Sequence, residues 1–281
     1  MITQARYIDL EEWNRDWAPL LEKLIGDIEK GACTNLNILS FEVADQIPDF
    51  RDPGWELVVL SGTNFEESFY QSYDMAGAPE WYNPFGNRDE FTGFFKTMEL
   101  LGLSEMVVCH DRFWPLPGKD PAKIAQLYPA TRQGVSQSDM RVLGQEFCAF
   151  DRSLRWGMVS GFEDQTALFG DAEFMNTFYE ASGGKQAVID RLMAYVMSDE
   201  WEDDRPTKGQ QLFKNLGWDF NPEPHLNSKE YQIWKKVEAD HEEEFDWEPF
   251  RDSDCDSPEY QQAEIDFYQK MVARYGPPNV K

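Results

Sequence analysis

Three histidines, four cysteines and a dense run of carboxylates are the side chains of this 281-residue chain whose types and spacing bear on chemistry. Asp252, Asp254 and Asp256 repeat the D-x-D-x-D spacing that opens a calcium loop. Such a loop needs glycine at its sixth position for the sharp turn and a bidentate glutamate at its twelfth. Those positions are Ser257 and Ala263, and Glu264 arrives one residue late, so neither a metal nor a cofactor is expected. His110 and Asp111 follow an apolar run, at a strand end where an acid–base pair can sit. Adjacent strand residues point to opposite faces, and no nucleophile is placed beside them, which favours a structural role. His241 falls on an apolar helical stripe, where Asp240 and Glu242 are expected to favour its protonated form. A phosphate loop, a dinucleotide fingerprint, an H-E-x-x-H pair and a G-x-S-x-G elbow are all missing from the sequence. No catalytic residue is therefore expected. A carboxylate-based, divalent-metal-dependent enzyme using His110 and Asp111 stands as the alternative.

Charge says more than motifs do. The chain has 52 acidic residues against 26 basic ones, a formal net charge of −26. Aromatics make up 15% of it, which is a folded protein's composition rather than that of a solvating tail. Such a surface repels nucleic acid and anionic membranes and attracts basic proteins. The acid is densest from Glu238 to Asp266, where thirteen carboxylates face one cation, Arg251. The expected partner-binding residues are Asp240, Glu242, Glu243, Glu244, Asp246, Glu248, Asp252, Asp254 and Asp256, with Phe245, Trp247 and Phe250 as the desolvated contact. The acids would steer encounter and the rings slow dissociation. A second aromatic run, Pro79-Glu80-Trp81-Tyr82-Asn83-Pro84-Phe85-Gly86, is either a partner anchor or a loop folded under its own rings. The other alternative is a regulatory or scaffold module whose acidity serves solubility alone.

The elements that must position these residues follow from periodicity. Trp13, Trp17, Leu21, Leu24 and Ile28 mark a helix capped by Asp9, with Glu12 as the second half of a capping box and Pro19 as an interruption. Residues 36–43, 55–60 and 105–109 read as strands, and 63–75 and 88–101 as helices. The proline-rich stretch 111–137 reads as a long connection. Runs at 144–150, 154–160 and 166–169 form an antiparallel meander, followed by a helix capped at Asp171 and another beyond Gly183-Gly184. Everything after Ser198 reads as helix. The last helix begins at Ser257-Pro258, buries Tyr260, Ala263, Phe267, Met271 and Tyr275, and stops at Gly276.

The expected class is α+β: a mixed strand and helix N-terminal part with an antiparallel meander, then an acidic all-helical C-terminal region. The expected divisions are 1–130, 131–198 and 199–281, the last packing with the rest or separately. Cys33, Cys109, Cys148 and Cys255 form no C-x-x-C pair, and Cys109 and Cys148 lie in apolar runs as buried reduced thiols. With no apolar leader and no run near the roughly 20 residues of a membrane span, the cytoplasm is the expected compartment.

The segment Phe147-Cys148-Ala149-Phe150-Asp151-Arg152-Ser153-Leu154-Arg155-Trp156-Gly157-Met158, continuing through Leu168-Phe169-Gly170-Asp171-Ala172-Glu173-Phe174, resembles immunity proteins of bacterial polymorphic-toxin systems. In that pattern a strand ends in aspartate, a turn leads to a "W-G" strand, and a "G-x-x-E-F" helix follows. The resemblance covers about a tenth of the chain. It implies a cytosolic protein that binds and blocks a cognate toxin, and it names neither toxin nor contact residues. Acidity makes a basic protein the expected target, either a nuclease toxin or another toxin or enzyme with a positively charged cleft.

Overall fold

The computed structural model describes residues 4–25, 55–60, 90–110, 125–131, 134, 147–160, 166–197, 205–246, 248–250 and 258–276. These fall into two units, one ending at Phe220 and one starting at Asn221. The protein is α+β.

Among the described residues of the first unit, seven strands make one sheet: β1 (Arg6–Ile8), β2 (Glu56–Leu60), β3 (Glu105–His110), β4 (Ala125–Pro129), β5 (Phe147–Phe150), β6 (Trp156–Ser160) and β7 (Thr166–Gly170). Their order is β1-β4-β3-β5-β6-β7-β2, and every pairing is antiparallel. The meander is β5-β6-β7. Helices cover both faces. On one face Val107, Cys109, Cys148, Phe150 and Phe169 meet Trp13, Trp17 and Leu21 of the N-terminal helix. Leu192 of α5 (Lys185–Val196) and Phe213 of α6 (Arg205–Leu216) join that layer. On the other face, Val58, Met106, Val108, Trp156 and Leu168 meet Phe94 and Met98 of α3 (Glu90–Leu100) and Phe174 and Phe178 of α4 (Ala172–Ala181). Double coverage explains why the strands read as unbroken apolar runs rather than alternating ones.

The sequence-based divisions move accordingly. Pairing of β3 with β5 carries the sheet across the 130/131 boundary. The stretch 111–137 contains β4, whose five residues are all buried. With both faces covered, β4 has no polar alternation to announce it. Within the expected helical region 199–281, Leu212 and Phe213 of α6 belong to the first unit's core.

The N-terminal helix has three parts: α1 (Leu10–Glu12), a π-turn over Trp13–Trp17, and α2 (Ala18–Ile25). Asp9 caps it by accepting the Glu12 N–H at 2.8 Å. The other half of the expected capping box is not formed, because the Glu12 carboxylate instead takes two hydrogen bonds from Arg6, at 2.6 and 2.7 Å. The π-turn ends as the Ala18 N–H bonds the Trp13 carbonyl. Pro19 thus lies in the first turn of a new α segment, where its missing N–H is tolerated. The expected strand at 36–43, the helix at 63–75, Ile28 and the aromatic run Trp81–Phe85 lie outside the described residues.

Several described residues of segment 147–174 do fold-forming work. Asp151 is buried and accepts from the Ser153 N–H at 2.8 Å. Arg152 lies 4.1 Å over the Trp17 ring. Any side chain at Gly157 would meet the Phe169 ring, 2.4 Å from an added Cβ, so this close crossing needs glycine. Asp171 caps α4 by accepting the Phe174 N–H at 2.7 Å. Burial alone would raise the Asp171 carboxyl, but the Arg155 guanidinium and the Phe174 amide hold it below the ordinary aspartate value. Arg155 also reaches Glu173 at 2.7 Å, tying the β6 approach to the helix start.

Candidate functional site

The carboxylate-rich residues lie in the second unit, made of α7 (Glu223–Leu226), α8 (Lys229–Glu244), a 3-10 turn over Glu248–Phe250, and α9 (Pro258–Tyr275). Ser228 caps α8 through the Tyr231 N–H. Gly276, at φ 91°, closes α9. The two long helices run in opposite senses, so Asp240 meets Arg274 while Glu244 meets Lys270. Their shared core is Val237, Phe245, Phe267, Tyr268 and Met271, flanked by Ile233, Phe250, Tyr260, Ala263 and Tyr275. The stripe read from the sequence of α9 therefore faces α8.

The expected binding residues separate into three groups. Phe245 is a core residue with 7% of its surface exposed. Its ring centroid lies 5.9 Å from Phe267 and 6.0 Å from Tyr260. The ring expected as a desolvated partner contact thus packs inside the helix pair. Phe250 is half-buried and packs edge-on against Tyr260 at 5.4 Å.

Asp240 and Glu244 form the second group. Asp240 takes hydrogen bonds from Arg274 and from the Tyr275 hydroxyl, the latter at 2.7 Å. Glu244 accepts from Arg274 at 2.8 Å and from Lys270. The Arg274 hydrogen bond, then that of Lys270, hold the Glu244 carboxyl down to about 2. Lys270 and Arg274, near the C-terminal end of α9, thus bridge to the neighbouring helix. A signal for this was present: Asp240/Glu244 and Lys270/Arg274 share a four-residue spacing, which places each pair on one helical face.

Glu242, Glu243 and Asp246 are the exposed third group. Trp247, Asp252, Asp254, Asp256 and the side chain of Glu248 lie outside the described residues, as do Asp111 and the side chain of His110. Glu242 and Glu243 occupy the last turn of α8, where the helix macrodipole disfavours negative charge. Lys270 and Arg274 of α9 pair with Asp240 and Glu244. The exposed acids thus sit where the local structure does not favour them. Departures of this kind concentrate at functional sites.

His241 lies within this core, its ring 4.8 Å from Phe245, 4.9 Å from Phe267 and 6.0 Å from Tyr268. Burial lowers its pKa, outweighing the opposing pull of Glu264 on α9 and Glu242 on its own helix. The sequence-based expectation of a favoured imidazolium is overturned, because neighbouring carboxylates count for less than the loss of water. A base depressed in the folded state contributes stability that is complete above its unfolded pKa, about 6.5. That stability is lost as pH falls below this value toward the folded pKa. We expect the urea midpoint for melting of α8 and α9 to fall between pH 7 and pH 5, and His241→Phe to remove most of that dependence. An unchanged slope in the variant would assign the effect to other groups.

No family model, curated protein or solved structure matches this chain. Among the described residues, no group of three or more His, Cys, Asp and Glu side chains is placed to hold a metal ion. No helix among them is long and apolar enough to cross a membrane.

Proposed function

We propose that the protein is a cytoplasmic inhibitor that neutralises a basic protein toxin, of nuclease type, by direct docking, without binding nucleic acid or membrane. The observation that carries this reading is the exposed pair Glu242 and Glu243 at the negative end of α8, on a chain of net charge −26. A basic nuclease cleft built to receive phosphates is the complementary surface for such carboxylates. The helix pair beneath them is held by an aromatic core and by the Arg274 and Lys270 bridges, so the acids are presented on a rigid element. The resemblance of 147–174 to immunity proteins supports the same reading. That segment supplies the fold; the acids supply the contact.

The test starts from the product of the gene adjacent to this one, expressed as the candidate toxin. Co-expression with this protein is expected to restore growth, and the purified pair to form a complex. Glu242→Lys with Glu243→Lys should slow association by about tenfold at low ionic strength, with the difference shrinking as salt screens it. Dissociation should change much less. Association rates identical to the parent at every salt concentration would remove the steering role assigned to this face.

A further inference from the structure

Two thiols face each other across the middle of the sheet. Cys109 on β3 and Cys148 on β5 are directly opposed partners in the antiparallel register, and these strands are the third and fourth of seven. Both belong to the same buried layer, 2% and 1% exposed, beside Val107 and Phe150. Both are reduced thiols, and Cys109 Sγ–H donates to the Cys148 carbonyl oxygen at 3.5 Å, so this sulfur already leans over its partner's backbone. Directly opposed residues on antiparallel strands hold their Cα atoms about 4.5–5.5 Å apart. Disulfides span Cα separations of about 4.4–6.8 Å, so the backbone needs no rearrangement to accept a bridge. Their Cβ atoms, at roughly 4.5–5.5 Å, stand slightly wider than the roughly 3.5–4.5 Å a relaxed disulfide prefers. A bridge here closes under strain, and strained bridges are the readily reduced, switchable ones.

The geometry points to Cys109 and Cys148 as a reversible redox site: a dithiol that a peroxide converts to a cross-strand disulfide, stapling the centre of the sheet. One thiolate attacks the peroxide, breaking the O–O bond and giving a sulfenic acid and water. The second thiol attacks that sulfur; the S–S bond forms, the S–O bond breaks, and the departing hydroxide takes the remaining proton as a second water. Two thiols and one hydrogen peroxide become one disulfide and two waters. The two sulfurs give up two electrons and the peroxide oxygens accept them. A small uncharged oxidant suits a buried site, where a bulky disulfide reagent would be excluded. Neither the register nor the shared layer depends on what the protein binds.

The experiment uses the full chain with Cys33→Ser and Cys255→Ser, so that only this pair remains, treated with hydrogen peroxide under native conditions. Both thiols are expected to disappear together, with a Cys109–Cys148 linked peptide in the digest, regeneration by dithiothreitol, and a higher urea midpoint for the oxidised form. Peptide mapping rather than intact mass is required, because the chain has 10 methionines that also take up oxygen. The unsubstituted protein, mapped the same way, serves if the serine variant does not fold. Thiols that persist, cysteines oxidised singly to sulfinic or sulfonic acid, or a linked peptide that forms only in urea would each overturn the assignment.

Discussion

Trp156→Ala is expected to lower the stability of the first unit by about 3–5 kcal/mol, the range for emptying a buried aromatic site. The Trp156 ring is fully buried at the start of β6, stacked on Phe174 at 5.8 Å and met edge-on by Phe94 at 5.0 Å. It therefore joins the sheet to both α3 and α4, and its loss opens a cavity that three elements must close together. Its indole N–H is buried and finds no hydrogen-bond partner among the described residues, so Trp156→Phe removes an unsatisfied donor along with some volume. The phenylalanine variant should accordingly lose much less than the alanine one. Urea unfolding followed by far-ultraviolet circular dichroism measures both. An alanine variant within about 1 kcal/mol of the parent would show that the layer repacks, contrary to the rigid contact described.

Phe245→Ala is the second large effect, about 3–5 kcal/mol on the second unit by the same cavity argument. Phe245 touches His241, Phe250, Tyr260 and Phe267, so nearly every aromatic of that core loses a neighbour. Hydrogen exchange of the α8 and α9 amides in the full chain reads it, and these amides should lose protection while those of β3 and β5 keep theirs. The variant also separates two ways of losing a partner. Phe245→Ala should abolish docking through melting of the helix pair, with α8 and α9 unprotected. Glu242→Lys with Glu243→Lys should slow docking with protection intact. Normal protection in Phe245→Ala would return that ring to the surface and reopen its role as a contact.

The composition of the face has consequences for how charge acts in this protein. Of the carboxylates on α8, Asp240 and Glu244 do structural work, and their pairing with Arg274 and Lys270 is exposed enough for salt to screen it. Removing those two acids would therefore confuse loss of the helix pair with loss of steering. Glu242 and Glu243 are the probes of steering, since among the described residues neither bridges the two helices.

Local signals survived into the structure. The Asp171 cap, the break at Gly183-Gly184, the meander strands and the α9 stripe through Phe267 and Met271 each depend on residues within a few positions of one another. Capping and periodicity are written at that range, so they were legible. Net charge and the α+β class were legible for the same reason, being sums over the chain or over its segments. Strands β1 and β4 were not, since one has three residues and the other is buried on both faces, leaving no alternation to read. The roles of the acids were equally hidden. Asp240, Glu242, Glu243 and Glu244 look alike in one dimension, and only the approach of α9 makes two of them bridges and leaves two in water. The same holds for Cys109 and Cys148, which stand 39 positions apart in sequence and face to face in the sheet. Long-range register depends on where the whole chain can bury its apolar layers at once, and no short window of sequence contains that condition.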